Sequence, residues 1–196
     1  MIDFNEEYYQ YYYNKLLGLV DDFCNYNWSQ LSVMHVKLVQ QDPKDKMTYQ
    51  FLKMATKDYK DTVRTYNNNL DEFLKDPNVL AVGKIKLGPY TDVGIHIDPS
   101  YWTRDFFRSH IPMNTNGAKF IYGNEKILWT EKEVRMYDVT TVEHGGENQN
   151  DSESNVIFID IAKEGVGENG LDSSAYLDQV NTYVTEFEWV GREDGK

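Results

Sequence analysis

Residues 79–98 read VLAVGKIKLGPYTDVGIHID, and the texture of this stretch decides the fold. From Val79 onward, short runs rich in Val, Ile, Phe and Tyr alternate with Gly, Pro, Asn and Asp. The runs predict strands near 79–87, 92–98, 106–112, 118–122, 134–138 and 155–161. Short strands at this spacing point to an all-β sandwich or barrel.

Upstream of this region the pattern is mixed and partly helical. Tyr8, Tyr12, Leu16 and Leu19 recur at three- and four-residue steps, as in a helix that buries one face. Ser32 to Gln40 alternates like a strand. Phe51 to Leu74, with Met54, Tyr59, Val63 and Leu70 between, predicts a second helical stretch, and Asp76-Pro77-Asn78 breaks the chain. Downstream, Lys163 to Ser174 is acidic and glycine-bearing and reads as a loop. Leu177, Val180, Val184 and Phe187 then predict a closing amphipathic helix over 175–189. The expectation is one domain over 1–196. It has a helical or mixed part over 1–76, a β core over 79–161, and helices packed outside the sheet.

The bulk composition narrows the function. The chain has 196 residues, 40% hydrophobic and 14% aromatic, so it can bury a core and hide roughly 70% of its unfolded surface. Its formal charge of -12 repels phosphate backbones and argues against nucleic acid as a partner. The same charge serves solubility and could steer a basic substrate. Cys24 is the only cysteine, which excludes an internal disulfide; its neighbour Phe23 makes it a small buried hydrophobe rather than a nucleophile. MIDFNEEYYQ lacks the basic and apolar regions of a signal peptide, and no run approaches about 18 apolar residues. The expected location is cytoplasmic, with no membrane partner. Five tyrosines among Tyr8, Tyr9, Tyr11, Tyr12 and Tyr13 read as one packed and one wetted helix face. Glu147 to Glu153 reads as a solvated acidic loop.

The chemistry centres on DVGIHID. On a strand, residues two apart share a face, so His96 and Asp98 lie side by side, while Val93, Ile95 and Ile97 turn into apolar packing. His144 can return to the same site on a later strand. Two imidazoles and a carboxylate on one face of a metal suit non-haem iron(II) and leave positions open for cosubstrate and dioxygen. A His-x-Asp pair by itself is a weak signal, commoner as a surface pair. Arg108 and His110, on the next strand, also share a face. They could form a carboxylate-binding wall, since arginine grips a carboxylate with two parallel bonds. Equally, they could be a salt bridge and a core contact.

These residues resemble a known family. LGPYTDVGIHID and RSHIPM are similar to successive segments of the aspartyl/asparaginyl β-hydroxylase-like oxygenases. So are Trp129 with Glu133-Val134 and Tyr137-Asp138, then EHGGEN with Asn148, then VIFIDI. The resemblance runs from about Leu87 to Ile161, in order. It implies a mainly β double-stranded β-helix, jelly-roll and cupin-like, with flanking helices. It also implies an iron(II)- and 2-oxoglutarate-dependent dioxygenase, with succinate and carbon dioxide as co-products. By that resemblance His96, Asp98 and His144 are the metal ligands, and Arg108 and His110 contact the cosubstrate.

Two positions depart from the pattern. The arginine with which the family anchors 2-oxoglutarate falls at Ser154, with Asn155 beside it, and neither carries charge. Arg108 is the favoured replacement anchor and Lys119 the fallback. The glycine before Glu133 is Lys132, which implies a changed turn. The expected substrate is a peptide side chain or a small molecule. Two other readings remain: a non-catalytic cupin-like module that binds a metal or an acid, favoured by Ser154, and a metal-dependent enzyme of another class. The oligomeric state is not legible in the sequence.

Overall fold

The computed structural model describes residues 6–38, 47–54, 63–98, 105–163 and 184–190. The chain opens with helix α1 (Glu6–Asn25) and a short 3-10 turn (Trp28–Gln30). Strands β1 (Val33–Leu38) and β2 (Met47–Lys53) follow, then helix α2 (Asn68–Lys75). The rest is β: β3 (Val79–Leu87), β4 (Thr91–Asp92), β5 (Phe106–Asn114), β6 (Lys119–Tyr122), β7 (Glu125–Leu128), β8 (Arg135–Tyr137), β9 (His144–Asn148), β10 (Ser154–Ala162) and β11 (Val184–Val190). Two antiparallel sheets result. The larger runs β11-β1-β2-β3-β10-β5-β8 and the smaller β4-β9-β6-β7.

The central strands of the larger sheet are covered on both faces, so they read as nearly continuous apolar runs rather than alternating ones. Inward, Ile85 and Leu87 of β3 and Val156 and Phe158 of β10 meet Ala118, Phe120 and Trp129 from the smaller-sheet side. Outward, Val79, Val82, Ile157, Ile159 and Ile161 pack under the helices. Helix α1 supplies Tyr12, Leu16 and Phe23 to that layer, all buried. Each such side chain contributes about 1.5–3 kcal/mol on burial. The Tyr8 hydroxyl donates to the Ala162 carbonyl at 2.8 Å and ties the helix to the end of β10. The tyrosine cluster divides as its spacing suggests: Tyr12 is buried and Tyr11 exposed. Cys24 is half-buried against the same layer, and burial pushes its thiol pKa up.

Helix α2 is closed at both ends. The Asn67 side chain accepts from the backbone N–H groups of Asn69 and Leu70, a standard N-cap arrangement. At the other end, Lys53 is buried and donates to the carbonyls of Leu74 and Asp76 at 2.7 and 2.9 Å. It thereby satisfies two of the acceptors a helix leaves open.

Several expectations are corrected. Phe51 lies in β2, paired with Gly83 of β3, not in a helix; only Leu70 and Leu74 of that periodic set fall in α2. Residues 184–190 form a strand antiparallel to β1 where a helix over 175–189 was expected. Val184 and Phe187 at a three-residue step satisfy a helix, yet VTEFEWV is rich in β-branched and aromatic residues, which pairing favours. The earlier part of that helix and most of the 163–174 loop lie outside the described residues. Strand 92–98 is reduced to β4 and an isolated bridge at His96, because Gly94 adopts φ +75° and breaks the extended run. Ile95 and Ile97 are consequently exposed rather than packed, while Val93 joins the core. Glu147 is not in a solvated loop: it lies in β9 and is buried. Lys132 holds φ +62°, so the position still uses the left-handed backbone that glycine favours. Among the described residues no helix is long and apolar enough to cross a membrane.

Candidate metal centre

The segment leaving β4 runs beside the segment entering β9 and is pinned to it by backbone bonds. Val93 N–H donates to Gly146 O at 2.9 Å, and Asp98 N–H to Val139 O at 2.9 Å. Between them His96 and His144 exchange backbone bonds, each 2.8 Å. This bridge sets the two imidazoles against each other, with ring centroids 4.4 Å apart. His96 Nε2 lies 3.4 Å from Asp98 Oδ1, and His144 Nε2 lies 3.7 Å from Asp98 Oδ2. One donor atom from each of the three residues falls within 4.8 Å of the others.

The ring orientations are set from behind. His96 Nδ1 faces the Gly94 carbonyl at 3.1 Å, and His144 Nδ1 faces the Val142 carbonyl at 3.2 Å. A carbonyl only accepts, so the tautomer that satisfies these contacts carries its proton on Nδ1 and presents the Nε2 lone pair. Metal-binding histidines are oriented in this way. His144 Nε2 is buried and has no hydrogen-bond partner among the described residues, an expensive condition unless something else meets it. Two nitrogens and one carboxylate, gathered within 4.8 Å of one another, form the donor set that suits iron(II). The residues therefore fit a metal.

Asp98 is held by more than the histidines. Arg108 Nη1 donates to its Oδ2. Burial alone would raise the Asp98 pKa, but the Arg108 guanidinium beside it holds it well below the usual carboxylate range. The carboxylate is thus ionised and ready to bind a cation. Behind Arg108 stands Asp160, fully buried on β10, which accepts from Nε and Nη2 at 2.7 and 2.8 Å. Asp160 sits directly across from Arg108 in the β10–β5 register. Phe106 and Phe158 flank the guanidinium, with its carbon 5.5 and 5.2 Å from the two ring centroids.

The expected cosubstrate residues fare differently. Arg108 and His110 do share the inner face of β5, and the guanidinium of Arg108 already grips two carboxylates, Asp98 and Asp160. His110 is buried among Phe120, Trp129 and Tyr137, with centroids 4.6, 5.5 and 5.3 Å away. Burial, with Arg108 nearby, holds its pKa well below the ordinary value. His110 is therefore neutral, and its Nδ1 has no hydrogen-bond partner among the described residues. Lys119 is not brought to the site. Its strand neighbour Phe120 faces the core, and its own ammonium lies 3.6 Å from Glu147, which also pairs with Lys126. Ser154 is fully buried and its hydroxyl donates to the Thr115 carbonyl. Among the described residues, no lysine or arginine stands where the family's arginine would.

Sequence reasoning gave no role to three contributors. Asp160 is a lone acid in the apolar run VIFIDI, and that isolation was the available signal. Gly145 lets β9 approach Gly94: a Cβ there would collide with the Gly94 carbonyl oxygen. Asn148 is fully buried and donates to the carbonyls of Leu87, Gly88 and Ser152, locking the turn before β4 to the end of β9.

Solved structures agree with this architecture. An oxidoreductase of the 2OG-Fe(II) oxygenase family from Burkholderia pseudomallei superposes with TM-score 0.54 at 10% identity, covering 77% of this chain and 79% of that one. The fold is a cupin-type double-stranded β-helix. At that identity the likeness speaks for the fold alone. A predicted oxalate decarboxylase from Thermotoga maritima matches with TM-score 0.42 and 12% identity over 69% of this chain and 96% of that one. A cupin domain of a transcriptional regulator from Enterobacter cloacae matches with TM-score 0.40 and 9% identity, over 59% of this chain and 96% of that one. These two are too loose to argue from. No family model matches the chain, and no curated protein matches it.

Proposed function

We propose that the protein is an iron(II)-dependent oxygenase of the 2-oxoglutarate-using kind, with His96, Asp98 and His144 as the ligands. One observation carries this reading: with each Nδ1 donating to a backbone carbonyl, both Nε2 lone pairs and the ionised carboxylate of Asp98 point into one space that only a cation between them would make favourable. Bound iron(II) would supply activation of dioxygen, coupled to conversion of 2-oxoglutarate to succinate and carbon dioxide. The chain's own residues do the rest. His96, Asp98 and His144 bind and orient. Arg108 holds Asp98 in register. Phe120, Trp129 and Tyr137 pack around His110, with Phe120 also beside His144; this apolar wall excludes water, and neutral His110 offers a polar contact to a carboxylate oxygen. The substrate is an Asp, Asn or Pro side chain in a peptide, or a free small molecule.

A second reading is favoured by Ser154 and by the commitment of Arg108: a cupin-like module that binds a metal without turning over 2-oxoglutarate. Anaerobic loading with iron(II), followed by 2-oxoglutarate and dioxygen, separates the two. Succinate formed in amounts exceeding the protein supports the oxygenase. A loaded protein that forms no succinate, even with candidate peptides present, is the module.

A further inference from the structure

The buried side chain of Asp160 takes no part in the ligand set, yet it is aimed at it through one intermediary. Asp98, Arg108 and Asp160 form a carboxylate–guanidinium–carboxylate ladder across the inner face, with the metal-side carboxylate at one end. Arg108 alone would be a poor neighbour for a cation. Its positive charge draws on the same carboxylate that must bind the ion, and at this burial the repulsion between guanidinium and ion is weakly screened. Asp160 meets the other edge of the guanidinium with two parallel bonds. That grip fixes the direction of Nη1 and cancels the charge behind it.

We propose that Asp160 is a positioning residue for the metal: it neutralises and orients Arg108 so that Asp98 can be held in place without the cation being repelled. The inference rests on the metal reading of His96, Asp98 and His144, and it adds a residue that the resemblance does not assign. It requires metal affinity to follow the charge balance of the ladder rather than the mere presence of its members. Losing Asp160 alone leaves one uncompensated positive charge beside the ion. Losing both Asp160 and Arg108 restores the original balance.

The test is titration of Co(II), followed by the visible absorption of the bound ion, on the full chain, on Asp160→Asn, on the Arg108→Gln/Asp160→Asn double variant and on His144→Ala. Circular dichroism checks each fold. Asp160→Asn is expected to bind Co(II) at least tenfold more weakly than the unaltered protein, about 1.4 kcal/mol. The double variant is expected to stay within tenfold of the unaltered protein and to bind more tightly than the single. A folded Asp160→Asn with unchanged affinity overturns the proposal, and so does a folded double variant that binds no better than the single. If Asp160→Asn does not fold, the double variant decides alone, and its loss of Co(II) binding overturns the proposal. Failure of the underlying metal reading looks different: the unaltered protein then binds no Co(II), or His144→Ala binds it equally well.

Discussion

Gly145 and Gly94 touch through their backbones, and the Gly94 carbonyl oxygen that a Cβ on Gly145 would strike is the one facing His96 Nδ1. A glycine on one ligand-bearing segment therefore controls the ring orientation on the other. Gly145→Ala must push the Gly94 carbonyl away, because backbone cannot rotate aside as a flexible side chain can. Overpacking of this kind costs about 1–3 kcal/mol. The expected outcome is a folded protein whose affinity for Co(II) drops at least tenfold. Titration with visible absorption checks it, and an unchanged affinity would show that His96 is not oriented through this carbonyl.

How much of this was legible beforehand follows from where the chain alternates. The bounds of β3 were readable to the residue, and β5 and β10 nearly so, because Val, Ile and Phe crowd strands covered on both faces. HGGEN was not readable as a strand: two glycines and three polar residues carry no period, although β9 bears His144. EKIL in β7 was too short and too exposed. That His96, Asp98 and His144 come together could be read from spacing and resemblance, but the relation of Arg108 to Asp160 could not. The two lie far apart in sequence, and only the β10–β5 register brings them together.

Lys53 offers a pH test of the fold. Burial pushes its pKa down from the ordinary 10.5 to about 8. Between those values the unfolded chain binds more protons than the folded one, so this lysine makes stability rise with pH. Its burial cost is fully present below about pH 8 and is relieved toward 10.5. Urea denaturation at pH 8 and pH 9.5 is expected to show a rise, relative to Lys53→Met, on the order of 1–2 kcal/mol. Taking the difference from Lys53→Met removes the tyrosines, whose raised pKa values act in the opposite sense above pH 10. Parallel pH profiles for the two proteins would rule out the assignment.

Helix α1 belongs to the same cooperative unit as the sheet. Leu16 is fully buried between the helix and the outer face of the larger sheet. Leu16→Ala is expected to cost about 2–5 kcal/mol in a single urea transition seen alike by circular dichroism and tryptophan fluorescence. A cost under about 1 kcal/mol, or two separate transitions, would mean that α1 is an appendage rather than part of the core.

The central claim is that His96, Asp98 and His144 hold one metal. Its most direct test is anaerobic titration of iron(II) into the metal-free protein and into His144→Ala, with bound iron measured after removal of the excess. Titration is expected to saturate at one iron per chain for the unaltered protein, and His144→Ala, still folded by circular dichroism, is expected to retain almost none. Equal iron in both proteins would contradict the account.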